Sequence, residues 1–342
     1  MAFNSDDYGY AVHYNNSESG FVAHHDEMKS AFHLFSVACC ILTFCLSMPG
    51  NGFLLWVLLR ERAWKTTSDI LHVQLTISDL CFTMTLPFWA HTLLHPWIFG
   101  DWACKVIVGA FSLGFSSYIL FLTAMTLYHY VVVVHTSCLS AYHPRKFSVL
   151  VASIVIWLFC AAVSMMESMY SGARDDKLGE IECLYGSHMS FSMVLFAIYI
   201  EIVLFVIPLS IITFCYVHMW ITIKQCRLSR HHRASRLTLG IAVGFFLCLA
   251  PYTIVIFIIS LEMLGVLDIT ANWSQAMHNG LYLIDTLPYF RCCLNPLFYI
   301  FGAQRFRRYL PMPCNISSQR RGGSQSQLSL MTDTSVTQQA SV

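Results

Sequence analysis

Long apolar runs separated by short polar segments dominate this chain. A helix needs roughly 20 apolar residues to cross a bilayer. Such runs lie at 32–59, 68–94, 105–134, 147–170, 190–223, 237–261 and 276–302. The last run is the least apolar, because its first part, 276–285, is polar. The pattern predicts an all-α membrane protein that folds as a seven-transmembrane helix bundle.

The polar segments outside these runs predict the domain boundaries. We expect an acidic N-terminal tail at 1–31, the bundle at 32–302 and a short amphipathic helix after the seventh span at 303–312. The remainder, 313–342, is rich in Ser and Thr and is expected to be a disordered tail. The N-terminal tail has no basic region before an apolar core, so no cleavable signal peptide is predicted.

Composition narrows the class of protein. Of the 342 residues, 56% are hydrophobic and 11% are charged, whereas soluble domains have about 25% charged residues. The net charge of +1 argues against a nucleic-acid-binding protein. The chain shows neither the inverted repeat of broken helices found in transporters nor a His-Glu-x-x-His motif. We therefore expect no enzymatic activity, no cofactor and no bound metal.

The distribution of Lys and Arg predicts the orientation in the membrane. Basic residues concentrate after the first, third, fifth and seventh runs, and such loops face the cytoplasm. A multi-pass plasma-membrane protein with an extracellular N-terminus follows. The opposite side is acidic, for example at Asp101 and Glu262. This acidic face either attracts a basic ligand or simply keeps the loops soluble.

Short patterns in the tails and loops predict three modifications. Tyrosines beside acidic residues suit sulfation, Asn-x-Ser sequons suit glycosylation, and a cysteine just after the amphipathic segment suits palmitoylation. The candidate residues are Tyr8, Tyr10 and Tyr14 for sulfation, Asn15 and Asn272 for glycosylation, and Cys314 for palmitoylation.

Ionisable residues inside the spans are the first candidates for function. Each costs about 2.5–3.5 kcal/mol to insert, so such residues are rare without a role. They are Asp79, Glu167, Glu201, Asp285 and Arg291. Asp79 and Arg291 fall at similar depth if the second and seventh spans are antiparallel neighbours. Two interpretations stay open, a structural ion pair and an ion site or switch.

A ligand cavity is expected in the outer half of the bundle. Asp285 lies about three turns outward of Asn295 and is expected to face that cavity. Glu201 is a further acidic candidate. Aromatic residues in spans also serve simple packing, but three of them suit the cavity walls: Trp89, Phe111 and Tyr252.

Motifs in successive spans resemble those of the rhodopsin-like (class A) G protein-coupled receptors. They include 75–79 in the second span, Trp157 in the fourth, Pro208 and Tyr216 in the fifth, and 295–299 in the seventh. The resemblance covers roughly 32–310. It implies a disulfide between Cys104 and Cys183 and a polar switch core made of Asn51, Asp79, Asn295 and Tyr299.

Other motifs resemble the chemokine receptor family in particular. They are 85–89, 97–100, 285–287 and 292–296. Segments 55–58 and 121–123 are most similar to the XC-type branch of that family. The resemblance implies an extracellular chemokine ligand and, besides membrane lipids, two cytoplasmic partners: an inhibitory-type heterotrimeric G protein and arrestin.

The chain departs from that family at its signalling positions. Tyr128-His129-Tyr130 replaces Asp-Arg-Tyr, whose arginine normally reaches the G protein and Tyr216. Histidine is shorter, has fewer donors and is mostly neutral at pH 7, so weaker coupling is expected.

Three more departures lie within the bundle and at its outer side. Leu249 replaces a switch tryptophan, and Arg291 and Tyr118 occupy the family's sodium pocket, where a guanidinium beside Asp79 would replace the ion. The second outer disulfide of the family has neither cysteine here. We expect a cell-surface chemokine receptor that signals through an inhibitory-type G protein with weakened coupling. A scavenging chemokine receptor and a receptor for another peptide are the open alternatives.

Overall fold

The computed structural model describes residues 19–61, 66–138, 146–175, 181–184, 191–226, 232–267, 284 and 286–302. Its helices are α1 (Ser19–Arg60), α2 (Thr67–Thr83), α3 (Leu86–Thr92), α4 (Gly100–Cys138), α5 (Lys146–Met169), α6 (Phe191–Cys226), α7 (His232–Met263), α8 (Leu287–Phe290) and α9 (Leu294–Gly302). A 3₁₀ turn, Arg291–Cys293, joins α8 to α9. Strands β1 (Gly172–Asp175) and β2 (Ile181–Leu184) form an antiparallel hairpin. The predicted all-α architecture is confirmed, and the predicted amphipathic helix at 303–312 lies outside the described residues.

Five helices in the described part of the chain are long and apolar enough to cross a membrane. They contain the spans Ala31–Arg60, Gly100–Val134, Lys146–Met169, Met193–Thr222 and Thr238–Met263. These match the first, third, fourth, fifth and sixth predicted spans. The second predicted span is divided between α2 and α3, and the seventh is described only at 284 and from 286 onwards.

Helix α1 extends well beyond the apolar run that predicted it. It begins at Ser19, whereas hydropathy placed the start of the first span at 32. No proline interrupts 19–31, and several residues there, including Ala23, Glu27 and Lys29, favour helix. Hydropathy marks where a helix enters the membrane, and a helix without a breaker continues past that point.

The second predicted span is broken because Pro87 has no backbone N–H to donate to the carbonyl of Thr83. The helix ends there, and the chain turns through Met84 and Thr85 before α3 begins. The Thr85 hydroxyl donates to the carbonyl of Phe82 at 2.7 Å. A side chain thus supplies a hydrogen bond where the helical pattern is interrupted, as membrane helices require.

Helix α4 occupies the centre of the bundle, where it contacts α2, α5, α6 and α7. It comes very close to α2 at Gly114. A Cβ atom at this position would lie 2.6 Å from the backbone nitrogen of Phe82 and 2.8 Å from the carbonyl oxygen of Ser78. Only glycine allows these backbones to come so close, which brings polar residues of α2 against α4.

The β hairpin packs on the end of α4 that carries Cys104, and we call this end of the bundle the disulfide end. The predicted bond between Cys104 at the start of α4 and Cys183 in β2 is confirmed. Trp97 is buried against both cysteines. Its backbone N–H donates to the carbonyl of Ile181 at 2.6 Å, and its indole N–H donates to that of Gly100 at 2.8 Å. The hairpin is therefore fixed to α4 by a covalent bond and to the preceding loop by hydrogen bonding.

Two glycine-to-alanine variants test the close approach of α2 and α4. We expect Gly114→Ala to lower the stability of the detergent-solubilised protein by about 1–3 kcal/mol, because the added Cβ overlaps backbone that cannot yield. Gly52→Ala is the control, since a Cβ there meets nothing within 4 Å. Thermal unfolding measures both. Equal unfolding temperatures for the two variants would contradict the packing described here.

Candidate functional site

An ion pair between α2 and the 3₁₀ turn lies at the centre of the bundle. Arg291 Nη1 donates to Asp79 Oδ1 at 3.2 Å, and both side chains are 0% exposed. Asn295 Nδ2 donates to the other carboxylate oxygen at 2.7 Å, and the Tyr118 hydroxyl donates to Asn295 Oδ1 at 3.2 Å. Side chains from α2, from α4 and from residues 286–302, which we call the seventh segment, therefore form one hydrogen-bonded unit.

Aromatic rings surround the Arg291 guanidinium. Its central carbon lies 4.3 Å from the ring centre of Phe82, 4.7 Å from Tyr118, 5.4 Å from Phe115 and 5.8 Å from Phe245. Nε and Nη2 have no hydrogen-bond partner among the described residues. The electron-rich ring faces attract the cation. Phe82, Tyr118, Phe115 and Phe245 therefore form what we call the aromatic cage, in which arginine is stabilised with one carboxylate as its counter-ion.

The carbonyl of Cys292 is the point at which α1 joins this core. Pro296 has no N–H to donate to it. The Asn51 side-chain amide donates to it instead at 2.8 Å, and the Ser47 hydroxyl donates at 3.3 Å. The 3₁₀ turn is thus stabilised from α1 by Asn51 and from α2 by Asp79.

A second contact joins α2 to α9, two turns away from the ion pair. The Tyr299 hydroxyl is hydrogen-bonded to the His72 imidazole, and the two rings meet edge to face with centres 4.7 Å apart. Both side chains are buried. Helix α2 therefore holds the seventh segment at two levels, through Asp79 and through His72.

The three residues Tyr128, His129 and Tyr130 lie toward the end of α4 that is opposite the disulfide. His129 is buried. Tyr130 packs toward α6, where its ring centre lies 5.6 Å from that of His218. Tyr216 is half-buried on α6, and its hydroxyl faces Thr126 and Thr238. These positions line the junction of α4, α6 and α7.

The residues predicted to form the ligand cavity divide into separate groups. Trp89 and Phe111 meet edge to face with ring centres 5.8 Å apart, and the Trp89 indole N–H is buried without a partner among the described residues. Tyr252 packs instead on a cluster of α6 and α7 side chains that includes Ile198. Glu201 is half-buried on α6. The structure brings the first two together and leaves the other two on the α6–α7 side.

Several predicted site residues lie outside the described part of the chain. They are Tyr8, Tyr10, Tyr14, Asn15, Asn272, Asp285 and Cys314. Leu249, at the position of the missing tryptophan, is described and buried in α7. One turn before it, Phe245 reaches the aromatic cage.

Comparison with known proteins identifies the family. Residues 50–299 match the model of the seven-transmembrane receptors of the rhodopsin family. The chain belongs to that family. The receptor is also similar to atypical chemokine receptor 2 of Mus musculus, with 29% identity over 304 residues that cover 88% of this chain and 80% of that protein. It is a chemokine-receptor-like member of the rhodopsin family and a multi-pass plasma-membrane protein.

Sequence reasoning missed the aromatic cage and His72. Phe82 follows Asp79 by three residues, and Phe115 precedes Tyr118 by three, so each pair shares a helix face. This spacing was the indication of the aromatic cage that the sequence offered. It did not show which face of α4 or α7 turns toward Arg291. His72 lies two turns before Asp79 on the same helix and carried a similar signal.

We expect the stability of the receptor to depend strongly on this ion pair. Arg291→Met leaves the Asp79 carboxylate buried without its counter-ion, and we expect a loss of about 3–5 kcal/mol. Adding Asp79→Asn removes the uncompensated charge and should recover most of that loss, because Asn295 can still hydrogen-bond an amide. Unfolding of purified single and double variants measures this. A single variant as stable as the unmodified receptor would refute the pairing.

Proposed function

We propose that this receptor binds a chemokine at the cell surface and internalises it with little G protein activation. One observation carries the proposal: the seventh segment is held to α2 by the caged Asp79–Arg291 pair. Activation of a helix bundle requires a second arrangement of its helices. A buried ion pair that is broken leaves an unpaired charge in an apolar site, so any arrangement that separates the two residues is costly.

The positions facing the cytoplasmic side support the same proposal. His129 replaces the arginine that the family directs at the G protein, and it is shorter with fewer donors. Tyr299 is bound to His72, which holds it against α2. Both features reduce the interactions that this end of the bundle offers to a G protein.

The proposed orientation has the disulfide end and the N-terminus outside the cell. Basic residues lie in the loops at the opposite end, as the positive-inside tendency requires. A disulfide forms readily on the oxidising extracellular side. Arrestin is the proposed cytoplasmic partner for uptake, because phosphorylation of the Ser/Thr-rich tail would create an acidic segment there.

The proposed ligand is a basic chemokine. The acidic residues of the proposed outer side would attract it. Trp89 offers an aromatic donor next to Phe111, because its indole N–H has no partner among the described residues. Glu201 and Tyr252 are proposed as further ligand contacts on the α6–α7 side. Asp285, which lies outside the described residues, is proposed as another contact on the basis of its position in the sequence. Segments 55–58 and 121–123 make XC-type chemokines the first to test, and the related mouse protein is named as an atypical chemokine receptor.

A second candidate is a chemokine receptor that signals weakly through an inhibitory-type G protein. The observation in its favour is that Asn295, Pro296 and Tyr299 are all present and buried at the family's positions in the seventh segment. Tyr216 is also present on α6. In this alternative the ligand supplies enough binding energy to separate Arg291 from Asp79.

Paired assays on the same cells distinguish these two functions. Labelled chemokines from a panel are applied, and uptake and G protein activation are recorded together at equal surface expression. We expect uptake without activation. His129→Arg should raise activation while leaving uptake unchanged, because it restores a long cation at the cytoplasmic junction. His129→Gln, which restores no charge, is the matched control.

Full activation by the unmodified receptor at the concentrations that drive uptake would favour the second candidate. If a well-expressed receptor shows no uptake and no activation, a chemokine ligand is rejected and a different peptide is indicated.

A further inference from the structure

Two histidines lie one helical turn apart at the disulfide end. His91 is in the last turn of α3, and His95 follows it by four residues. The backbone N–H of His95 donates to the carbonyl of His91 at 2.9 Å, so the helical turn continues past the end of α3. Side chains four residues apart in such a turn lie on the same face.

The two imidazoles have the separation of ligands on one metal ion. Their ring centres are 5.2 Å apart, with an angle of 48° between the planes. Two imidazoles on a tetrahedral zinc ion have ring centres roughly 5 Å apart, because each Zn–N distance is about 2.0–2.1 Å. The spacing of the two histidines in the sequence would not by itself indicate a metal site. The distance between their rings supports one.

His91 also has a nitrogen that lacks a partner. Its Nδ1 is buried and has no hydrogen-bond partner among the residues that the structure describes. Buried polar atoms are almost always hydrogen-bonded, so this nitrogen is a candidate for binding a ligand. His95 is exposed, so an ion in solution can reach its imidazole.

The turn between the histidines is held in place by its neighbours. His33 Nδ1 on α1 donates to the carbonyl of Leu93 at 3.0 Å. The His91 ring packs edge to face on Phe99 with centres 5.1 Å apart. These contacts hold the turn and the His91 ring in place, which lowers the entropic cost of binding an ion.

We propose that His91 and His95 bind a divalent transition-metal ion of the zinc type. Imidazole ligands suit Zn²⁺, Cu²⁺ and Ni²⁺ rather than Ca²⁺ or Mg²⁺. Within the described part of the chain, no group of three or more His, Cys, Asp or Glu side chains could hold a metal. The remaining coordination positions are therefore open to water, and the affinity is lower than that of a closed four-ligand site.

The test is a calorimetric titration of Zn²⁺ alone into the full-length receptor in lipid nanodiscs, which measures the affinity for the ion. His91→Ala, His95→Ala and the double variant are compared with the unmodified chain. We expect one saturable site whose affinity falls at least about tenfold in each single variant. The double variant should be no weaker than either single one, because chelation needs both rings.

His218→Ala is the matched control and should leave Zn²⁺ affinity unchanged. Its Nδ1 is likewise buried without a partner among the described residues, but its ring neighbours are Tyr130 and Phe214. Should His91→Ala misfold, His95→Gln replaces an exposed side chain and must still weaken binding. Unchanged affinity in His95→Ala or His95→Gln, or independent additive losses in the double variant, would overturn the proposal.

Discussion

The pairing of Asp79 with Arg291 is the interaction on which the centre of this receptor depends. Both charges are fully removed from solvent, and neither would be stable there alone. The carboxylate is compensated by the guanidinium and by the Asn295 amide. The guanidinium has a single carboxylate partner among the described residues, and aromatic rings surround the rest of it. Each residue therefore requires the other as its counter-ion, because losing either one leaves the other charge buried and uncompensated.

Each of the two spans that carry this ion pair contains a proline that interrupts its helical hydrogen bonding. Pro87 interrupts the second span, and Pro296 removes the hydrogen bond that the carbonyl of Cys292 would otherwise accept. Asn51 replaces that bond from α1 at 2.8 Å. The 3₁₀ turn that carries Arg291 is therefore fixed by a side chain from a different helix. The same residue type that bends the helix also creates the acceptor that joins α1 to the core.

The sequence predicted those features that depend on composition and local spacing. The runs at 105–134 and 147–170 correspond to α4 and α5, and the pairing of Cys104 with Cys183 followed from the family resemblance. The similar depth of Asp79 and Arg291 was also visible, because depth follows from position along a span. The break between α2 and α3 was not placed, since Pro87 marks a bend without deciding whether the helix continues.

Features that depend on how helices rotate against each other could not be predicted. The aromatic cage requires Phe82, Phe115 and Phe245, from three helices, to face one guanidinium. No single helix specifies that arrangement. It depends on the close approach at Gly114, which brings α2 and α4 together. His72 was missed for the same reason, because its partner Tyr299 is distant in sequence and meets it only after the bundle is packed.

We conclude that the Asp79–Arg291 pair holds the seventh segment against α2. Amide hydrogen exchange of residues 286–302 tests it most directly, because exchange reports the free energy of local opening. We expect faster exchange through this segment in the Asp79→Asn, Arg291→Met double variant than in the unmodified receptor, whereas α5 should exchange at the same rate in both proteins. Equal exchange rates along 286–302 in the two proteins would contradict it.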